Sequence, residues 1–341
     1  MKHFYPLLLM VFFLLHGTEL LAQQEVNYTL YRYHMNLINP ASAGTQGAPY
    51  ANIGIRNQWL GIDDAPRSFS LSYSSPHKNE RVGLGFSVIS DKTFVEQQTQ
   101  LFADFSYRLP MGDQKNVFLG LKAGGTSFRL QAADLVTLQS NLGDPNLINT
   151  SSFVPNIGVG AVYHSPGFYL ALSIPRLLST ERFREENGQE TRPTDRPHFY
   201  AATGVRFEVV DRFEFAPSIL YSYVNAAPSQ FVIDATFSYD KKFDFGAQYT
   251  QRGGIGATMN LNIADDFQLG YAYTTQLGNQ ENFFSRGTHE LLLRIRLGRA
   301  PFVEDEAGGV ADQDIALNKN EERKERRIGT KNKGIRSGLR F

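Results

Sequence analysis

The chain of 341 residues contains no cysteine, so disulfides, thiol nucleophiles and cysteine-ligated metal sites are all excluded. It carries no net charge: 34 lysines and arginines offset 34 aspartates and glutamates. No whole-chain field therefore points to nucleic acid or to acidic ligands, and nucleic acid is not an expected partner. Beyond residue 22 no apolar run is long enough to cross a bilayer as a helix, and no amphipathic helical period appears. Tryptophan occurs once, whereas glycine, phenylalanine and tyrosine are abundant, at 30, 26 and 16 residues.

The first residues read as a secretory signal peptide over 1–22. Lys2 supplies the positive start, Phe4–Leu15 the short apolar stretch, and Ala22 the cut site. Such a stretch is too short to span a bilayer as a helix, and an uncleaved anchor is the alternative. Without a cysteine near the cut, a lipoprotein is excluded.

From Tyr50 onward the hydrophobic period is two. Ile53 and Ile55 alternate with Asn52, Gly54 and Arg56; Phe69, Leu71 and Tyr73 alternate with Ser68, Ser70 and Ser72. About fourteen segments repeat this pattern between Tyr50 and Leu297, each roughly the ten residues that a tilted transmembrane strand needs. Alternation alone also fits a soluble sandwich, but these strands are long for one. The less apolar row is built of small and amide residues such as Gly120, Gly256, Thr258, Asn260 and Gln268, which suit a crowded lumen. The apolar row often ends in tyrosine, as at Tyr73, Tyr107, Tyr239 and Tyr273, in keeping with interfacial aromatic girdles. The three longest connections, Arg129–Pro155, Pro175–His198 and Thr275–Thr288, fall on one side when the strands alternate up and down. The expected fold is thus all-β: a transmembrane antiparallel β-barrel of about 14 strands in the cell outer membrane. It occupies residues 50–297, between a lead-in or plug segment at 23–49 and a charged, disordered periplasmic tail at 298–341 that either solvates or binds. Pro217 lies inside one segment and predicts a bulge or break there.

Chemistry is hard to find along this chain. His34, His77, His164, His198 and His289 are scattered, with His77 and His164 in expected periplasmic turns, so no metal site is indicated. Ser70 and Ser72 point inward without a neighbouring histidine, which leaves a lipid-facing hydrolase unsupported. Gly83–Ser87 only mimics a phosphate loop because it continues the strand alternation. No catalytic, cofactor-binding or metal-ligating residue is assigned, and no cofactor is expected. Inward charges of both signs, including Arg56, Asp104, Lys122, Asp234, Glu290 and Arg294, predict a paired network rather than a selective ring.

Before the barrel lies Asn36–Gly47, rich in turn formers, where Asn39-Pro40 breaks regular structure and the small residues permit close backbone approach. It reads equally as a plug and as a plain lead-in. This stretch, with Arg56–Tyr73, Val82–Lys92 and Gly287–Leu297, resembles the PorP/SprF family of type IX secretion system outer-membrane proteins from Bacteroidota. The family pattern falls on Asn39, Pro40, Ala41 and Gly44, then Gln58, Trp59, Gly61, Ala65 and Pro66, then Gly83, Gly85, Asp91 and Lys92. The resemblance implies a barrel that is not an enzyme. It implies a role in the type IX secretion and gliding motility machinery, helping export or cell-surface attachment of large secreted adhesins. The implied partners are outer-membrane lipid, the C-terminal domain of a secreted type IX adhesin, and periplasmic type IX or peptidoglycan-linked components. The outer loops would face the cargo and the tail the periplasm. A porin or small-solute transporter is the alternative function.

Overall fold

In the computed structural model, the described residues are 28–79, 81–112, 114–131, 149–181, 194–225, 227–251, 254–264, 266–276 and 287–298. The expected signal peptide and, apart from Gly298, the expected tail lie outside them.

Fourteen strands follow one another and close into an antiparallel barrel. They are β1 (Tyr50–Gln58), β2 (Arg67–Pro76), β3 (Val82–Thr93), β4 (Glu96–Pro110), β5 (Asn116–Leu130), β6 (Thr150–Ser165) and β7 (Phe168–Ile174). After these come β8 (His198–Val205, resuming as Phe207–Val210), β9 (Phe213–Val224), β10 (Gln230–Tyr239) and β11 (Phe243–Thr250). The last three are β12 (Gly254–Ala264), β13 (Phe267–Gln276) and β14 (Thr288–Arg296). Closure is made by β1 on β14, from Tyr50↔Arg296 to Gln58↔Thr288. A two-residue pairing of Thr180–Glu181 with Thr194–Asp195 sits within the β7–β8 connection.

The period-two rows face as the sequence predicts. Outward lie Phe69, Leu84, Phe105, Leu121, Ile233, Phe245 and Tyr271, all exposed in the isolated chain, as lipid-facing side chains must be. Inward lie Ser70, Ser72, Ser106, Lys122, Asp234 and Asn260, all buried. Aromatic pairs line the lower wall between β9 and β10, with Phe213 on Tyr239 at 4.7 Å and Phe215 on Phe237 at 4.6 Å between ring centres.

The end of the barrel carrying Tyr50, Pro76 and Val82 has only short connections, such as 111–115, 166–167 and 211–212, and is the periplasmic end in the usual orientation. The longer 131–149, 175–197 and 277–287 connections leave the opposite, outer end. His164 lies within β6 and is buried, one correction to its expected place in a turn. At Pro217 the β9–β10 register continues unbroken, but the β8–β9 ladder is interrupted between Gly204↔Ser218 and Phe207↔Phe215. The break therefore falls on the strand that would have bonded to the missing N–H, while on the other side the Arg206 N–H donates to the Gly167 carbonyl at 2.8 Å.

Candidate functional site

Residues 28–48 do not form part of the wall. They run through the lumen as three short helical turns, Tyr31–Tyr33, Met35–Ile38 and Pro40–Ser42, joined through His34 and the extended Asn39. The described segment begins in the outer part of the lumen and descends to the periplasmic end, where Ala48 leads into β1. Its polar atoms have to be satisfied inside a closed cylinder, and the wall supplies the partners.

At the top of the segment, the Thr29 and Leu30 N–H groups donate to the Glu290 carboxylate on β14, at 2.8 and 3.1 Å. Glu290 also faces Arg56 across the β1–β14 seam, and Asp91 adds its field to the same guanidinium. The Gln248 amide on β11 donates to the Thr29 carbonyl at 3.2 Å. Next, Arg32 donates through Nη1 to the Asp234 carboxylate at 3.0 Å, to the Thr236 hydroxyl at 2.9 Å and to the Ala216 carbonyl at 3.2 Å. The Tyr33 hydroxyl donates to Asp244 at 2.8 Å. On the opposite wall Lys122, ion-paired with Asp104 at 2.9 Å, donates to the Asn36 carbonyl, and the Ser173 hydroxyl donates to the Ile38 carbonyl at 2.7 Å. The inward charges thus form the expected paired network. One partner was not legible in the strands themselves, because Asp234 is paired by Arg32 of the interior segment.

Apolar contact completes the seat. Tyr31 packs with Phe118, Val162, Tyr169, Leu220 and Val232 from the wall, and Tyr28, Met35 and Ile38 lie against this cluster. Leu30 and Tyr33 meet Ala272 and Leu292 on the other side. A residual cavity of about 50 Å³ remains, lined by Arg32, Asn36, Gln46, Asn52, His164 and Arg206 among others. It has room for a few waters and no more. The segment thus occupies the lumen, held between the two walls.

The residues singled out in the sequence divide between two places. Asn39, Pro40, Ala41 and Gly44 lie in the plug. Asn39 caps the last turn, its Oδ1 accepting from the Ala41 N–H at 2.9 Å, while its Nδ2 donates to the Ala161 and Leu172 carbonyls at 3.3 and 3.2 Å. Gly44, at φ 72°, donates its N–H to the Ser74 hydroxyl at 2.7 Å. Gly83 and Gly85 on β3 belong with this group although they are distant in sequence. A Cβ on Gly83 would collide with the Ala43 backbone, and one on Gly85 would press the Ala43 methyl at 3.2 Å. Similarly, a Cβ on Gly120 would run into Pro40 and Ala41. The Ala43-Gly44 end of the run and the Gly-x-Gly strand are therefore two halves of one contact, while its Asn39-Pro40-Ala41 start packs over Gly120 and Gly160.

Gln58, Trp59, Gly61, Ala65, Pro66, Asp91 and Lys92 gather at the outer end, around the β1–β2 connection. The Gln58 N–H donates to the Pro66 carbonyl at 2.9 Å, and the Trp59 N–H to the Gly287 carbonyl at 2.9 Å. Trp59 and Asp64 hold positive φ of 50° and 54°, and Gly61 86°. Phe94 in the neighbouring turn, at φ 52°, donates its N–H to the Asp64 carbonyl at 3.1 Å. Lys92 lies 3.6 Å from Asp64 at the solvent-exposed rim. Several non-glycine residues with positive φ tied to three different connections make a stiff rim rather than a loose loop.

Among the described residues no cluster of histidine and acidic side chains is placed to hold a metal. No helix among them is long and apolar enough to cross a membrane, which says nothing of strands.

Among solved structures, the CymD monoaromatic hydrocarbon channel is similar at 13% identity and TM-score 0.47, covering 77% of this chain and 91% of its own. A Pseudomonas aeruginosa FadL homologue is similar at 10% identity and TM-score 0.44, covering 76% and 93%. The Acinetobacter baumannii outer-membrane protein Omp33 is similar at 12% identity and TM-score 0.42, covering 74% and 100%. No curated protein matches the sequence. The model of the type IX secretion system membrane protein family PorP/SprF matches residues 20–295, nearly all of the plug and barrel, and the chain is an outer-membrane β-barrel belonging to that family.

Proposed function

We propose that this barrel performs no chemistry of its own and serves the type IX secretion and gliding machinery by helping export large secreted adhesins or hold them at the cell surface. The observation that carries this reading is the occupied lumen. A segment bonded to the wall on opposite sides occupies the lumen, which supports a reading in which the useful surfaces are the outer rim and the periplasmic face. Family membership supplies the machinery with which those surfaces work. In this reading Asn39, Pro40, Ala41 and Gly44 seat the plug. Gln58, Trp59, Gly61, Pro66, Asp91 and Lys92 shape the rim that meets the C-terminal domain of a secreted adhesin. Periplasmic type IX or peptidoglycan-linked components would meet the other end.

Deleting the gene and measuring how much type IX adhesin stays on the cells tests the proposal. Release of the adhesin into the medium, or its retention inside the cell, is the expected result. Unchanged surface display overturns it. Planar-bilayer recording addresses the porin alternative: the intact protein is expected to be closed, and a stable open channel with solute flux would favour the alternative.

A further inference from the structure

The wall is not even at its outer end. β6 spans Thr150–Ser165, but its ladder with β7 stops at Val159↔Ile174. The chain leaving β7 stays beside β6 for a few residues more: the Leu177 N–H donates to the Ile157 carbonyl at 2.7 Å, and Asn156 bonds the Leu178 backbone. Above that point, Thr150–Pro155 is paired with β5 on one side, and no ladder partner occurs on the other side among the described residues.

The orientation of the edge follows from the Ile157 carbonyl. It points to the β7 side, so by alternation the backbone groups of Ser151, Phe153 and Pro155 point the same way. Pro155 has no N–H, and the Ile157 N–H is already held by the Asn156 side chain at 2.9 Å. The lower end of the edge is therefore closed, whereas Ser151 and Phe153 each turn an N–H and a carbonyl outward. Exposed edges in natural proteins are usually blunted by lysine, proline or a bulge. Here Thr150–Val154 reads TSSFV, uncharged and favourable to strands, with Phe153 66% exposed.

We infer that the outer edge of β6 accepts an extended segment of the secreted partner as an added strand, continuing the ladder that β7 leaves unfinished. Main-chain hydrogen bonds to Ser151 and Phe153 would give the affinity, and the Phe153 ring would select the apolar side chain lying beside it. This rests on the proposed role in holding a secreted protein. A second copy of the barrel is a poor occupant. Copies in one membrane share one orientation, and strands tilted about 35–45° from the normal would cross at roughly twice that angle instead of aligning. A polypeptide outside the bilayer has no such constraint.

The test uses the full chain in cells, with a photo-crosslinking phenylalanine analogue at position 153 and, as a lipid-facing control, at position 107. The expected adduct forms from position 153 alone and contains a secreted protein bearing a type IX C-terminal domain. The double variant Ser151→Pro, Phe153→Pro removes both outward donors and spares those facing β5, so the barrel should assemble with its normal heat-modifiable migration. It is expected to lower surface-held partner at least tenfold. If gene deletion releases the partner but the double variant retains it, the edge inference falls and the attachment role stands. If neither changes it, both fall. An adduct to this chain alone overturns the inference as well.

Discussion

Asn39 joins the plug to two strands with one side chain, and it is 1% exposed. Replacing it by alanine removes a turn cap and two donations to the wall, a loss of about 1–3 kcal/mol in seating the segment. Because the chain has no cysteine, a Ser42→Cys reporter in the buried turn reads this directly. Thiol labelling is expected to be slow in the parent and faster by roughly tenfold or more after Asn39→Ala. His34, also in the plug, is lowered to about 3, first by burial and then by the charge of Arg294. A released segment would take up a proton near the ordinary 6.5 that the seated segment refuses until about 3. The His34 contribution to seating is thus fully present above pH 6.5 and is lost as the pH falls toward 3. Hydrogen exchange over 28–48, corrected for intrinsic rates, should accelerate on acidification from pH 7 to 4. His34→Gln should flatten that dependence, and an unchanged slope would contradict the assignment. At this scale the sequence was least informative. The family motif marked Asn39, but nothing near Arg32 or Tyr33 announces partners some two hundred residues away at Asp234 and Asp244.

The strands were legible because lipid outside and a filled lumen inside force a strict period of two. Each segment located by alternation is a strand, and the last of them is β14. Where the wall rises out of the hydrocarbon, outward residues become polar and the period fades. β4 accordingly begins at Glu96, ahead of the apolar pattern that starts at Leu101, with Gln97 and Thr99 continuing its outward row. The plug escaped for a different reason. Turns of three and four residues show no period, so the interior segment and a plain lead-in looked alike. Its clearest trace lay in the wall, where glycines face inward under the backbone of the segment. Gly120→Val is therefore expected to evict Pro40 and Ala41 while leaving the β4–β5–β6 ladders intact. Planar-bilayer conductance should then rise from closed to open, with normal heat-modifiable migration on gels. A variant that stays closed would show that the wall can absorb the side chain.

For the molecule as a whole, the closing pair β1–β14 ends at Arg296, and the Leu297 N–H still donates to the Pro49 carbonyl at 2.9 Å. Truncation after Gly298 should therefore leave membrane assembly and heat stability unchanged. Failure of the shortened chain to insert would mean that residues 299–341 contribute to folding. The bonds from Thr29 and Leu30 to Glu290 span 261 and 260 residues, and Gln46 meets Arg294 on the same strand. The portion of this protein synthesised early thus waits for the portion synthesised near the end. A finished cylinder would have to admit a bulky, folded cork through a narrow mouth, whereas a sheet still open at its seam can wrap around it. The N-terminal stretch then acts as a mandrel, and the hoop tightens only when its final stave arrives.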